Sequence, residues 1–393
     1  MRRSIVVAAA AAVVLVALTS PVRAQQGGDI EARLKAYLKK FPDADANKDG
    51  VLTFEEARKH LETQRGRNKD DGPGQDDAVS ALTAEQLEKI IADGRKAAGK
   101  NGPLSFPKGN GLRVVMTGHS WVRPGANTLP AMAKAGGFDG HQQRAHLSGG
   151  GTGSANSIWL KEVGRYRGTN APVSVLLPAI ATGQWDVMTW GGYYNDKPVH
   201  FTQWMDVCLK YNPQMVFYLQ DGWPRQIPTL DKAPADEAVA AYQRKYGEIE
   251  AVFRTMLGEL KGQYAGKVRV IPAGRAVTTL LRLHYEKKLP GVDCVSEHLG
   301  GKAGVYRDGG HLSRQTEPIV GYLYYAMLYR RSPVGIEGYR PPGVSKALDA
   351  ILRRTAWEAV TTSSLSGIKD EDGNGVADGE KTGDSKSKTS LRS

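Results

Sequence analysis

From Leu112 onward the chain alternates short apolar runs with longer segments of helical periodicity, and few folds accept that rhythm. Leu112–Met116, Gln184–Trp190, Gln214–Gln220 and Lys267–Ile271 read as buried strands. Residues 200–211, 236–262, 274–288 and 316–330 carry apolar side chains at helical spacing. Parallel neighbours cannot be joined by a tight turn, so strands that alternate with helices predict a parallel sheet covered by helices on both faces. Residues 104–362 are ample for one such α/β domain.

Composition narrows the function classes. A chain 40% hydrophobic and 24% charged is globular. Its two cysteines are too few for a disulfide framework or a four-thiolate zinc site. Cys208 and Cys294 both lie in apolar stretches, which favours buried free thiols over a bridge. The net charge of +12 includes three arginines within the first 24 residues, and removing them leaves 50 − 41 = +9. No Lys/Arg stripe concentrates that charge, so a nucleic-acid partner is not expected. Arg2 and Arg3 precede an apolar run from Ile5 to Leu18, followed by Pro21 and Val22-Arg23-Ala24. The run is too short to span a bilayer and ends in a small-residue cleavage pattern. Residues 1–24 therefore read as a cleaved export signal, with a secreted or periplasmic product beginning at Gln25 and no retained membrane span.

Next comes a small helical segment, with Ile30, Leu34, Tyr37, Leu38 and Phe41 on one face. The loop after it suits calcium, which takes six to eight oxygens that a twelve-residue loop supplies at fixed steps. With Asp45 at position one, Asn47 is three, Asp49 five, the Val51 carbonyl seven, Thr53 nine and Glu56 twelve, and Gly50 turns the chain at six. This series resembles the EF-hand family, which implies bound calcium in a module over residues 25–63. Leu82-Thr83-Ala-Glu85-Gln86 echoes Leu52-Thr53-Phe-Glu55-Glu56 without the ligand series, and reads equally as a degenerate partner hand or a coincidence. Residues 64–103 read as a polar linker and a helix from about Thr83 to Ala98. Residues 363–393 are polar and expected to be mobile. Within them Asp370-Glu-Asp372-Gly-Asn374-Gly375-Val-Ala-Asp378 is either a short calcium repeat or a plain acidic tail, with Lys381 at its twelfth position.

A nucleophilic serine needs a base, an acid that orients the base, and donors for the oxyanion. The first strand runs into Gly118-His119-Ser120-Trp121, where open α/β sheets keep their reactive groups. Far downstream, Asp308-Gly-Gly-His311 puts an acid and a base three residues apart on a loop. Between them lie the turn Gly149–Gly153 and Asn195, after the strand at Gln184–Trp190. This order resembles the SGNH (GDSL-like) hydrolase family over Gly111 to Arg331. The resemblance implies a three-layer flavodoxin-like fold and hydrolysis of O-acyl esters, often acetyl groups on carbohydrates. It makes Ser120 the nucleophile, His311 the base and Asp308 its partner, with Asn195, a glycine near Gly150 and the Ser120 amide as the oxyanion hole.

The chain departs from that family at Gly-His-Ser for Gly-Asp-Ser, at Tyr193-Tyr-Asn195-Asp for Gly-x-Asn-Asp, and at Leu312 for proline. These departures keep an alternative open, a non-catalytic calcium-dependent binding protein on the same fold. A metal-assisted enzyme using His119, Asp308 and His311 is a further rival. Whether His119 assists the site or merely packs stays open, and Glu297-His298 reads as a surface turn. Six of seven tryptophans fall between Trp121 and Trp223. Flat aromatic faces suit a sugar ring. For Trp185, Trp204 and Trp357 core packing is expected, while Trp121, Trp190, Tyr193 and Tyr194 stand equally for substrate or core.

Overall fold

Strand β1 (Arg113–Gly118) is buried along its whole length, as a run of Val-Val-Met flanked by partners on both sides requires. It is joined in parallel by β2 (Gln142–Leu147) and β3 (Val187–Gly191), with β4 (Val216–Gln220) and β5 (Val268–Ile271) continuing outward. The order is β2-β1-β3-β4-β5, that of flavodoxin-like doubly wound sheets. The computed structural model describes residues 34–39, 41–53, 56–57, 60, 82–98, 106–166, 174–193, 196–230, 233–299 and 302–379. The expected export signal, Ile30, Asn195 and the polar linker through residue 80 lie outside them. The chain forms two compact units, residues 1–80 and 81–393.

In the second unit the helices are α1 (Ala84–Ala98), α2 (Arg123–Ala135), α3 (Ala155–Glu162), α4 (Leu177–Ile180), α5 (Pro198–Tyr211), α6 (Ala235–Gln263), α7 (Ala273–Tyr285), α8 (Pro318–Tyr329) and α9 (Lys346–Thr362). Successive strand side chains point to opposite faces, and that period sorts the core into two layers. Val114, Met116 and Tyr218 pack with α2, α7, α8 and α9. Val115, Met188, Phe217 and Leu219 pack with α1, α3, α5 and α6. Helix α8 is apolar all round and buried at every residue, as such a helix must be. Among the described residues no helix is long and apolar enough to cross a membrane.

Three features differ from the sequence expectation. Strand β2, Gln-Gln-Arg-Ala-His-Leu, carries no apolar run because it is an edge strand, paired on one side and half-buried. Residues 363–379, which the sequence reads as part of a polar tail, are anchored at several points. Leu365, Ile368 and Ala377 are buried, and Ser332 N–H donates to the Gly375 carbonyl at 2.8 Å while Ala377 N–H donates to Arg330 at 3.1 Å. Helix α1 joins the sheet unit through Ile91 instead of standing in a linker. Thr83 and Gln86 bond each other's backbone N–H at its start, both at 3.1 Å. Thr53 and Glu56 form the same box in the first unit, so the sequence echo between the two sites is a shared helix cap.

Neither thiol is bridged. Cys208 is buried beside Met188, and Cys294 lies in β6 (Cys294–Ser296), which pairs with β7 (Gly304–Tyr306) in a small second sheet. In the first unit residues 34–39 are helical, and Tyr37, Ala44, Leu52 and Ala57 form a mini-core with Leu34, Leu38 and Phe41.

Candidate active site

In a parallel sheet every strand delivers its loop to the same edge, so residues remote in sequence meet at the carboxyl ends. Gly118 ends β1 at φ +156°, where a Cβ would come within 2.4 Å of Val122 and 3.1 Å of the Gly191 amide. Glycine there lets the chain turn sharply and present Ser120. Its hydroxyl lies 2.7 Å from His311 Nε2, although the two residues are 191 apart in sequence. His311 Nδ1 lies 2.9 and 3.0 Å from the two Asp308 carboxylate oxygens. With its proton on Nδ1 and hydrogen-bonded to Asp308, the ring leaves Nε2 as the acceptor that faces the Ser120 hydroxyl.

The Asp308–His311 loop is locked from several sides. Asp308 Oδ1 also accepts the N–H groups of Gly310 and His311 at 2.9 and 2.8 Å. Burial alone would raise the Asp308 pKa. The hydrogen bonds from the His311 ring and from these two amides outweigh burial and hold the carboxyl well below the usual carboxylate range. Ser296 Oγ donates to the Asp308 carbonyl at 3.2 Å. After β4, Trp223 Nε1–H donates to the Gly310 carbonyl at 2.9 Å and Gln226 N–H to that of Gly309 at 3.2 Å.

The glycine turn Gly150–Gly153 follows β2. Gly153 presses on the turn that carries Ser120, since a Cβ there would meet the Gly118 carbonyl at 2.6 Å and His119 Cα at 2.8 Å. Gly150 has open space around it at φ +51°. Lys161 Nζ steadies the turn through Ser148 Oγ at 2.8 Å and the Thr152 carbonyl at 2.7 Å. Around Asn195, Tyr193 N–H donates to Asp196 Oδ2 at 2.8 Å and Asp196 N–H returns to the Tyr193 carbonyl at 2.9 Å.

His119 is a packing residue. Its Nε2–H donates to the Gly192 carbonyl at 3.2 Å, and Nδ1 accepts from Trp121 N–H at 3.4 Å. Burial lowers its pKa and keeps the ring neutral. Both nitrogens are therefore engaged by the backbone, which leaves neither for a metal shared with His311.

The aromatic residues divide by exposure. Trp185, Trp190 and Trp204 are core, while Trp121 and Tyr193 are half-buried with their rings 5.6 and 5.5 Å from that of His119. Trp357 is half-buried and donates to Asp370. Trp121 stacks on Trp223 with centroids 4.2 Å apart. Trp223 and Arg225 belong to no motif legible in the sequence. The signal available was their place just beyond the end of a central parallel strand.

The Asp45–Glu56 loop curls through Lys48 and Gly50 at φ 61° and 80°. Asp45 accepts Lys48 N–H and Gly50 N–H, both at 2.8 Å. Asn47 Oδ1 accepts Asp49 N–H at 3.0 Å, and Asp49 Oδ1 accepts Val51 N–H at 2.8 Å. Glu56 bonds to Thr53 Oγ1 and N–H, with the Asn47 and Ala46 amides also favouring its charge, and its pKa is lowered. Its carboxylate thus turns back toward the start of the loop. Among the described residues no three His, Cys, Asp or Glu side chains converge as a ready metal site. The donor set itself, all oxygen and mostly anionic, fits a hard cation.

The sequence matches no family model, and no curated protein matches it. Among solved structures it is similar to a DUF4886 family protein from Bacteroides uniformis, at 13% identity and a TM-score of 0.44, over 63% of this chain and 94% of that one.

Proposed function

We propose that the chain is an exported serine ester hydrolase of the SGNH type, preceded by a calcium-binding EF-hand module. The observation that carries this is the unbroken run from Asp308 through His311 to Ser120, with contacts of 2.9 and 2.7 Å. Ser120 Oγ attacks the acyl carbon while His311 Nε2 takes the hydroxyl proton, and the carbonyl electron pair moves onto oxygen. Collapse of that intermediate expels the alcohol, which leaves with the proton from Nε2. Water then repeats the sequence on the acyl-enzyme and frees the acid. Asp308, anionic throughout, holds the proton on His311 Nδ1 by accepting its hydrogen bond and stabilises the transient imidazolium. By the family resemblance, the Ser120 amide, Gly150 and Asn195 are the oxyanion donors.

The substrate class is an O-acyl ester, an acetyl group on a carbohydrate foremost, since the half-buried Trp121 and Tyr193 offer flat apolar faces beside the serine turn. Asp45, Asn47, Asp49, the Val51 carbonyl and Glu56 would hold calcium, whose contribution is to tie the loop closed. No step of the ester chemistry runs through it.

The test is hydrolysis of 4-nitrophenyl acetate by residues 25–393, with Ser120→Ala and His311→Ala alongside and a fluorophosphonate probe for the serine. Loss of turnover in both variants and labelling only of Ser120 supports the assignment. Turnover untouched by either change overturns it. Absence of both turnover and labelling favours the non-catalytic binding protein.

A further inference from the structure

The segment after β4 carries a cation that the triad chemistry does not use. Arg225 is exposed, and its guanidinium lies along the buried backbone of Gly310, the residue before His311. A Cβ on Gly310 would stand 2.9 Å from Arg225 Nε and 3.2 Å from Nη2. The backbone on either side is pinned, by Trp223 to Gly310 and by Gln226 to Gly309. The side chain is therefore presented from a fixed base beside the catalytic loop.

An acidic neighbour would account for the placement of this arginine. Asp308 is the obvious one, but its oxygens are taken by the His311 ring and by the Gly310 and His311 amides. Arg307 already approaches Asp308 at 3.8 Å from another side. Among the described residues Arg225 forms neither a hydrogen bond nor an ion pair. A planar guanidinium with five unfilled donors is built for a carboxylate, which it can grip through two parallel hydrogen bonds. The chain as a whole is basic, with +9 remaining after its first 24 residues, so an acidic polymer would also be drawn toward it over longer range.

We infer that Arg225 makes this site selective for esters borne on carboxylate-bearing sugars, by holding the substrate carboxylate next to His311 while Ser120 takes the acyl group. The inference rests on the ester-hydrolase reading and names its substrate class. It covers binding only, so the acyl transfer is the one already given.

The experiment compares acetylated polygalacturonate with acetylated galactomannan at matched acetyl content, using the wild-type chain and Arg225→Gln and Arg225→Lys. Wild type should favour the acidic polymer, and Arg225→Gln should lower the ratio of the two kcat/KM values by about tenfold, mainly through KM, as expected for one lost charge-assisted contact. Arg225→Lys should fall between them, because it keeps the charge but loses the fork. A ratio unchanged in Arg225→Gln overturns the inference, and so does an equal loss on both polymers, which would mark a structural role. Failure of the hydrolase reading is seen separately, as no turnover by wild type and no phosphonate labelling of Ser120. In that case calorimetric binding of oligogalacturonate decides. Weaker binding by Arg225→Gln than by wild type sustains the carboxylate site, and equal or no binding removes it.

Discussion

The indole of Trp121 lies flat on that of Trp223, with ring centroids 4.2 Å apart and planes 14° from parallel. Trp121 follows Ser120 in the chain, and Trp223 donates its N–H to the carbonyl of Gly310, just before His311. One stacked pair therefore ties together the two loops whose distance sets the Ser120–His311 contact. Stacked aromatic pairs contribute about 0.5–1.5 kcal/mol beyond their burial, enough to matter for a contact of this kind.

Trp223→Phe keeps a ring on Trp121 but leaves the buried Gly310 carbonyl without its donor. An unpaired buried acceptor costs about 1–3 kcal/mol, and part of that cost should appear as a loosened His311 loop. Steady-state kinetics on 4-nitrophenyl acetate should show kcat lower by about tenfold with KM changed much less. An equal rise in KM with kcat intact would assign the pair to substrate binding.

Ser120→Ala and His311→Ala should each lower kcat by at least about a thousandfold, and their combination should cost little more than either alone, because the residues act as a unit. Asp308→Asn should cost about 10³–10⁴ in kcat, since an amide no longer favours the tautomer with its proton on Nδ1. Circular dichroism should be unchanged in all of them. Asp308 stays ionised below the usual carboxylate range, so its protonation is not what ends activity as pH falls from 7 to 5.

Asp221 gives a pH signature in stability. It is buried just after β4, accepting Gly274 N–H at 2.7 Å and Tyr246 O–H at 3.1 Å, and burial raises its pKa to about 7. A carboxyl whose folded pKa exceeds its unfolded one binds more protons when folded, so stability falls as pH rises between the two values. The affected window runs from the ordinary carboxyl value of 3.8 to about 7. Asp221→Asn removes the titration. Its urea midpoint should decline less than that of wild type between pH 5 and pH 8. Parallel declines would assign the pH dependence elsewhere.

Calcium is expected to stabilise the first unit without entering the chemistry. At a hundredfold excess over its dissociation constant a ligand adds about 2.7 kcal/mol to the state that binds it. Calcium should raise the melting transition of the first unit in wild type, and Asp45→Ala or Glu56→Gln should reduce or abolish that rise. The kcat of the ester reaction should stay within about twofold on chelation, the spread of a change that touches no reacting group. A collapse of kcat with chelator would give the ion a direct part in the site.

Strands β1, β3, β4 and β5 were legible because each is mostly buried and carries a short apolar run, even β5 at the sheet's other edge. Strand β2 was not, since a half-buried edge strand made of Gln142, Gln143, Arg144 and His146 carries no such run. The spacing from Asp45 to Glu56 could be counted directly, because a twelve-residue loop is a local object. The order of 363–379 was hidden for the opposite reason. Its few apolar anchors, Leu365, Ile368 and Ala377, acquire meaning only against surfaces supplied by distant segments.

By itself the sequence determined the parallel α/β layout, the donor series of the acidic loop, and Ser120, Asp308 and His311 as the residues to watch. Those features depend on residue type and short spacing, which a linear chain displays. Tertiary structure alone decided that His119 packs while His311 faces Ser120, that Trp190 is core while Trp121 is half-buried, and that Trp223 and Arg225 stand at the His311 loop. Such distinctions depend on which strands become neighbours in the sheet, and the crossover connections that set this order are written nowhere in local spacing.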